Sequence, residues 1–201
     1  MLSQALNVFD FLKIKYQKNS QKKAIIYYPL IFSLLASSIL LYLAISNNYD
    51  TNFFVGKNSG DLFTLMAILP GFYIASLGAI SAINKPAIDK IINEKNAPYL
   101  TKRNKDQLGV YNQPLTRRVF LSMLFAYLAS VSLLTTLILS GLRFLSSLNI
   151  FSKFIYLAKY EIWGYCLSFI INLTFFFILT QLVILTLVGI NYLGYKSLVD
   201  E

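Results

Sequence analysis

Residues 24–45 read AIIYYPLIFSLLASSILLYLAI, an apolar run without a single charged side chain. At a rise of about 1.5 Å per residue, a helix of this length crosses the roughly 30 Å hydrocarbon core of a bilayer. Lys22 and Lys23 precede the run, and the polar residues 46–48 follow it. The run predicts a retained membrane helix, because both it and the leader, residues 1–23, are long for a cleaved signal peptide.

Three further runs of the same kind follow, at residues 62–83, 119–142 and 162–190. The composition agrees with them, since 56% of the 201 residues are hydrophobic and only 13% are charged. A water-soluble domain of this size cannot bury so much apolar surface. We therefore predict an all-α polytopic membrane protein with four transmembrane helices and short cytoplasmic helical segments.

Basic residues are distributed unequally among the segments that flank these helices. Fourteen of the 18 lie in the leader (residues 1–23), the middle segment (84–118) and the tail (191–201), and the other four lie in the segments 46–61 and 143–161. Basic residues accumulate on the cytoplasmic side of bacterial membranes. The sequence thus predicts an inner-membrane protein whose termini and middle segment are cytoplasmic.

The leader is predicted to form an amphipathic helix on the inner leaflet. Its apolar residues at helical spacing are Leu2, Leu6, Phe9, Leu12 and Tyr16. Two interpretations are open for this helix. Its lysines can bind anionic lipid, or its face can bind a specific partner.

The middle segment begins with Pro86, a residue suited to the first turn of a helix, and the pattern predicts that this helix continues through Ile91 and Ile92. The segment is too short to bury a core of its own. We expect it to pack against the leader, a second copy of the chain or a separate protein.

The outer segment, residues 143–161, is predicted either to extend the third helix or to lie along the outer leaflet. Its apolar residues on one helical face are Phe144, Leu148, Phe151 and Ile155.

Small residues recur at four-residue steps along the second membrane helix. We call them the helix seam: Ala67, Gly71, Ala75 and Ala79. Small side chains allow helices to approach closely, either within one chain or between subunits. In the fourth helix, Asn172 and Gln181 are predicted to form interhelical hydrogen bonds.

The residue types present exclude much of enzyme chemistry. The chain has no histidine and a single cysteine, Cys166, and it contains no catalytic motif. We predict a protein without enzymatic activity, metal or cofactor. No acidic or basic residue falls clearly inside a predicted span, which argues against an ion-coupled pump.

A cluster of basic residues in the middle segment is the candidate contact site for a partner or for lipid. It comprises Lys102, Arg103, Lys105, Arg117 and Arg118. These side chains can set the topology and bind anionic headgroups. They can also bind an acidic protein or, indirectly, a partner that carries nucleic acid.

In length, number of spans, cytoplasmic termini and basic middle segment, the chain resembles the membrane subunit of the Kiwa anti-phage defence system. The resemblance implies a homo-oligomeric sensor, with a tetramer as one candidate, that acts with a cytoplasmic DNA-binding subunit. The leader and the middle segment would then bind that subunit, and the helix seam would join the protomers. Two alternatives stay open: a pore-forming effector that depolarises the membrane, and an accessory subunit of a transporter.

Overall fold

The computed structural model describes residues 7–16, 19–46, 60–92, 97–103, 109–147 and 161–193. Four long helices dominate it: α1 (Asn19–Ser46), α2 (Gly60–Ala82), α3 (Arg117–Ser147) and α4 (Glu161–Asn191). Each is long and apolar enough to cross a membrane. The prediction of four transmembrane helices is therefore confirmed, and apart from Ile83 every residue of the predicted spans lies in one of these helices.

Between α2 and α3 the chain forms a short 3₁₀ helix, Pro86–Asp89, and a β-hairpin of strands β1 (Tyr99–Arg103) and β2 (Val110–Pro114). The predicted middle helix is thus wrong in extent, because it ends at Asp89. Ile91 instead forms an isolated bridge with Thr116. The hairpin was not expected from the sequence.

The leader forms a 3₁₀ helix, Asn7–Lys13, and its inward face agrees only in part with the predicted one. Phe9 and Tyr16 of the predicted face are half-buried, and the ring of Phe9 lies 6.2 Å from that of Tyr127. Phe11 and Ile14 are buried at 7% and 2% exposure, whereas Leu12, assigned to the apolar face, is 54% exposed. The 3₁₀ helix has three residues per turn, so a period of 3.6 misses Phe11 and Ile14. Leu2 and Leu6 lie outside the described residues.

The chain divides into two compact units. Unit 1 takes its described residues from Met1–Ile25, Pro70–Val131 and Ile184–Glu201, and unit 2 takes them from Ile26–Leu69 and Ser132–Val183. Unit 1 has an apolar and aromatic core. Its most deeply buried side chains include Tyr73, Ile80, Leu121, Leu124, Phe125 and Leu128.

Unit 2 differs from unit 1 in the polarity of its interior. It contains every buried polar side chain found among the described residues: Ser33, Ser37, Ser132, Thr135 and Asn172. On α1, the buried serines follow Pro29 at four-residue steps, and they form the inward face of a helix that is otherwise largely exposed.

The outer segment begins as a continuation of α3, because this helix extends to Ser147 and includes Phe144. The prediction that the segment extends the third helix is confirmed over these residues. The other apolar residues of its predicted face, Leu148, Phe151 and Ile155, lie outside the described residues.

Candidate functional site

Among the described residues outside the four helices, the β-hairpin is a largely exposed element. β1 and β2 are antiparallel, with Lys102 opposite Tyr111 and Arg103 opposite Val110. All five residues of β2 are exposed, and the side chains of Val110 and Tyr111 are 67% and 49% exposed. The hairpin therefore combines basic residues on one strand with exposed apolar and aromatic side chains on the other.

The leader fixes the base of this hairpin. The backbone amide of Lys15 donates to the carbonyl oxygen of Tyr99 at 3.0 Å, and the amide of Tyr99 donates to the carbonyl oxygen of Lys15 at 3.0 Å. The hairpin thus gains one extra pairing on the β1 side. We call residues 7–16, 83–92, 97–103 and 109–116 together the platform. Of the three packing partners considered for the middle segment, the leader is the one observed.

Aromatic packing joins the leader to the rest of unit 1. The ring of Phe11 stacks on Tyr127 at 5.2 Å between centroids and lies 6.0 Å from Phe120. Phe120 in turn lies 5.6 Å from the ring of Tyr192, just after α4. These contacts bury Phe11 and explain why the leader packs on its own chain through this residue rather than through Leu12.

Arg118 connects α2, the second 3₁₀ helix and α3. Its guanidinium donates to Asp89 at 2.7 Å and 3.1 Å, a bidentate geometry, and also to the carbonyl oxygens of Ile80 at 3.3 Å and Ile83 at 2.8 Å. The last carbonyls of a helix have no partners within the helix, so a cation at this place satisfies them and complements the helix dipole. Arg118 lowers the pKa of the Asp89 carboxyl mainly through its hydrogen bond.

The five predicted basic residues therefore have different surroundings. Lys102 is exposed on β1, and the backbone of Arg103 lies at the end of the same strand. Arg117 is half-buried at the start of α3, where its amide donates to the carbonyl oxygen of Lys90 at 3.0 Å. Burial raises the pKa of Tyr192, and the charge of Arg117 opposes part of this rise. Arg118 serves an intramolecular role. Lys105 lies outside the described residues.

The helix seam lies on the outward side of α2. Ala67 in unit 2 and Gly71, Ala75 and Ala79 in unit 1 are all exposed, and a Cβ added at Gly71 would meet nothing within 4 Å. The opposite side of the same helix carries the buried residues Met66, Tyr73 and Ile80. In the described part of the chain, the buried side of α2 is thus the one opposite the seam.

Close helix packing in unit 1 occurs instead at Gly189 of α4, a residue that the sequence analysis did not single out. A Cβ at this position would lie 2.8 Å from Phe125 Cζ and 3.3 Å from Leu124 Cδ2. The buried ring of Phe125 also contacts Tyr73, whose hydroxyl shares a 2.6 Å hydrogen bond with Thr186 of α4. A lone glycine near the end of a long apolar run was the available signal.

Tyr16 is the last residue of the first described stretch of the leader, residues 7–16. Burial, and to a smaller extent the nearby Tyr192, raises the pKa of Tyr16 to about 12. Deprotonation would place a charge in a partly buried site, so the neutral phenol is preferred. This titration therefore reports on how closely the leader packs against the end of α4.

Among the residues that the structure describes, no group of three His, Cys, Asp or Glu side chains could hold a metal ion. Cys166 is exposed on α4.

The comparisons with known proteins add no relative, because no protein family, curated protein or solved structure matches the chain. What the fold defines is a membrane protein with four candidate spanning helices and a small platform that includes a hairpin.

Proposed function

We propose that this protein is a non-enzymatic scaffold and sensor subunit of a bacterial inner membrane, acting in anti-phage defence and binding a cytoplasmic partner through its hairpin. The observation that carries the proposal is the exposed basic hairpin held on the leader. A two-stranded hairpin alone is marginally stable in water, so the extra pairing at Lys15 and Tyr99 favours a preformed surface. The defence role rests on the resemblance to the Kiwa membrane subunit.

The composition of the hairpin supports protein binding more than lipid binding alone. Lys102 and Tyr111 face each other across the strands, and Val110 is largely exposed beside them. Exposed aromatic residues next to cations are typical of binding hot spots, whereas lysines alone suffice for anionic headgroups. In this proposal the partner presents an acidic surface, and its electrostatic complementarity to the hairpin sets the association rate.

The orientation of the platform follows from the distribution of basic residues. With the leader, the middle segment and the tail in the cytoplasm, the hairpin faces the compartment that holds soluble proteins and phage DNA. The protomers associate through the helix seam, whose outward position leaves it open to a second copy.

The test is purification from membranes in mild detergent with the neighbouring genes co-expressed, followed by mass determination of the complex. The variant Lys102→Glu, Arg103→Glu, Lys105→Glu reverses the charge of the hairpin. Its matched control, Arg143→Glu, Lys153→Glu, Lys159→Glu, makes the same charge change in the outer segment, away from the segments expected to bind the partner. We expect the hairpin variant to release the soluble partner and the control to retain it.

Three results would contradict the proposal. Equal loss of the partner in both variants would assign binding to general electrostatics rather than to the hairpin. A homo-oligomer without any partner would remove the scaffold role. Ion leakage from liposomes that contain such an oligomer would favour the pore-forming effector instead.

A further inference from the structure

The register of the hairpin determines which backbone groups point away from it. In an antiparallel pair of strands, residue pairs that bond each other alternate with pairs whose N–H and C=O groups point outward. The amide of Leu115 donates to the carbonyl oxygen of Pro98 at 2.9 Å, and the next residue of β1, Tyr99, uses its outward groups to bond Lys15. With the register of the strands, these bonds fix the alternation. The outward-pointing residues of β2 are therefore Val110, Asn112 and Pro114.

These groups form the outer edge of β2, and within the described part of the chain no strand pairs with it. The sheet consists of β1 and β2, and the bridge of Ile91 with Thr116 lies beyond the last residue of β2. All five side chains of β2 are exposed as well. Val110 and Asn112 each direct an N–H and a carbonyl oxygen outward, whereas Pro114 offers only a carbonyl oxygen. The edge can thus both donate and accept backbone hydrogen bonds.

The two edges of the hairpin differ in their protection against added strands. Natural proteins protect strand edges with charged side chains, with proline or with a covering segment. On β1, the leader covers the edge at Tyr99, and Lys102 and Arg103 place charges at the far end. The sequence of β2, VYNQP, contains no charge, and its proline stands at the last position. The outer edge of β2 is therefore the one that is open to a further strand.

The charge of the hairpin determines what kind of strand fits this edge. Residues 99–114 hold three basic residues, Lys102, Arg103 and Lys105, and one acidic residue, Asp106. A second copy that paired through the same edge would bring two positively charged hairpins together, which is unfavourable. A strand added to β2 would lie about 10 Å from β1, a distance of about one Debye length at moderate salt. An extended segment with acidic side chains is therefore complementary to the hairpin.

We propose that an extended acidic segment of the cytoplasmic partner binds as a third strand along the outer edge of β2. The backbone groups of Val110 and Asn112 supply the affinity, and the basic residues of β1 select acidic side chains. Successive residues of the segment lie on opposite faces of the sheet, so every second one lies beside the exposed ring of Tyr111. The inference rests on the proposed function only in assigning the segment to that partner.

Peptide binding to the full-length protein in nanodiscs of zwitterionic lipid tests the edge directly. The probe is a short fluorescent peptide with blocked termini that alternates glutamate with valine. Asn112→Pro removes an outward N–H and preserves the bonds between β1 and β2, because position 112 is not in a bonded pair. The matched control, Thr101→Pro, removes the outward N–H directly across the hairpin. Both variants lose the same 3.3 Å hydrogen bond from Thr101 Oγ1 to Asn112 Oδ1, and neither changes a charge.

We expect Asn112→Pro to weaken binding of the peptide about fivefold or more, the effect of a lost backbone hydrogen bond, and Thr101→Pro to change it less than about twofold. In the wild type, the peptide should slow amide hydrogen exchange at Val110 and Asn112 but not at Thr101. Equal weakening in both variants, or exchange that the peptide leaves unchanged, would overturn the added strand. Failure of the wild type to bind the peptide would overturn it as well.

A second probe needs no substitution in the protein. The same peptide methylated at every backbone nitrogen keeps its side chains and charge but cannot donate backbone hydrogen bonds. We expect it not to bind, and equal binding of both peptides would reduce the interaction to charge attraction and overturn the inference. In the co-purification with neighbouring genes, a partner that Lys102→Glu, Arg103→Glu, Lys105→Glu releases and Asn112→Pro retains would overturn the added strand alone and leave the scaffold function standing.

Discussion

The guanidinium of Arg118 donates a 2.8 Å hydrogen bond to the carbonyl oxygen of Ile83, the residue that follows α2. A side chain from the first turn of α3 thus caps the C-terminus of α2. The same side chain holds Asp89 in the 3₁₀ helix between them. One arginine therefore fixes the return of the chain from α2 to α3. The middle part of the platform begins at Ile83, the residue to which Arg118 donates.

Replacement of Arg118 by alanine should loosen the platform, because the carbonyls of Ile80 and Ile83 and the Asp89 carboxylate would lose their donor. Asp89→Asn removes only the ion pair, which is exposed to solvent and screened by salt, so its effect should be smaller. Thermal unfolding in nanodiscs and limited trypsin digestion of the middle segment measure both variants. Equal stability of Arg118→Ala and the wild type would contradict the capping role.

The ion pair also has a predictable pH dependence. Since the pKa of Asp89 is lowered from 3.8 in the folded protein, its contribution to stability is complete above that value and disappears as the pH falls below it. Near neutral pH the Arg118–Asp89 pair should therefore not respond to pH. Only in acid should the wild type lose the stability that this pair contributes. Asp89→Asn should not show that loss.

Tyr16 should make the protein sensitive to alkali. Its folded pKa of about 12 exceeds the ordinary value of 10.0, so the neutral phenol contributes fully below pH 10 and loses its contribution as the pH rises towards 12. The shift corresponds to at most about 2–3 kcal/mol. Above pH 10, Tyr16→Phe should lose less stability than the wild type in thermal unfolding, and parallel loss in both proteins would contradict burial of this phenol.

Gly189 and Gly78 should respond to alanine in opposite directions. Gly189→Ala places a methyl group 2.8 Å from Phe125 and should cost about 1–3 kcal/mol of stability. Gly78 has open space around it, so Gly78→Ala should be neutral or stabilise the helix by about 0.5–1 kcal/mol. Unfolding in detergent compares the two. A tolerated Gly189→Ala would mean that α4 and α3 do not approach this closely.

Bulky residues in the helix seam should affect association but not folding. Gly71→Leu with Ala75→Leu is sterically free in the single chain, because these positions are exposed. If the seam joins protomers, the mass of the purified protein should fall to that of a smaller oligomer or a monomer. Gly141→Leu, which also points into open space, is the control on α3. An unchanged oligomer in the double variant would assign the interface to another face.

The native Cys166 allows the orientation to be measured without a substitution. The predicted topology places the start of α4 on the outer side, where Cys166 is exposed. A membrane-impermeant maleimide should therefore label intact spheroplasts, and Cys166→Ser should give no signal. Labelling only after lysis would reverse the predicted orientation. The same measurement verifies that the charge-reversal variants keep their topology.

The long helices were predictable because each is a continuous apolar run, a signal that depends on composition rather than on partners. The buried face of the leader was not, since Phe11 and Ile14 follow the period of a 3₁₀ helix. The hairpin was missed because β1 carries Lys102 and Arg103, which resemble a solvated charge run. The residues Val110 and Tyr111, which favour strands, were its only local signal.

The candidate site was predicted only in part. The basic residues were found from charge, but sequence could not separate the exposed Lys102 from Arg118, which is occupied by Asp89 and backbone carbonyls. The stripe of small residues on α2 was also found from the sequence. The tight contact at Gly189 was not, because it depends on the position of Phe125. Tertiary contacts of this kind have no local sequence signature.

The pairing of Lys15 with Tyr99 also constrains the order of events during synthesis. A ribosome produces Lys15 early, but its partner strand emerges only after α1 and α2 have been made. Until then the leader has no strand to join, and Phe11 lacks the rings of α3 that cover it. A nascent chain in which only one of its first two helices spans the bilayer would leave the leader and the hairpin on opposite sides of the membrane. Completion of the platform is thus a built-in check that membrane insertion has succeeded.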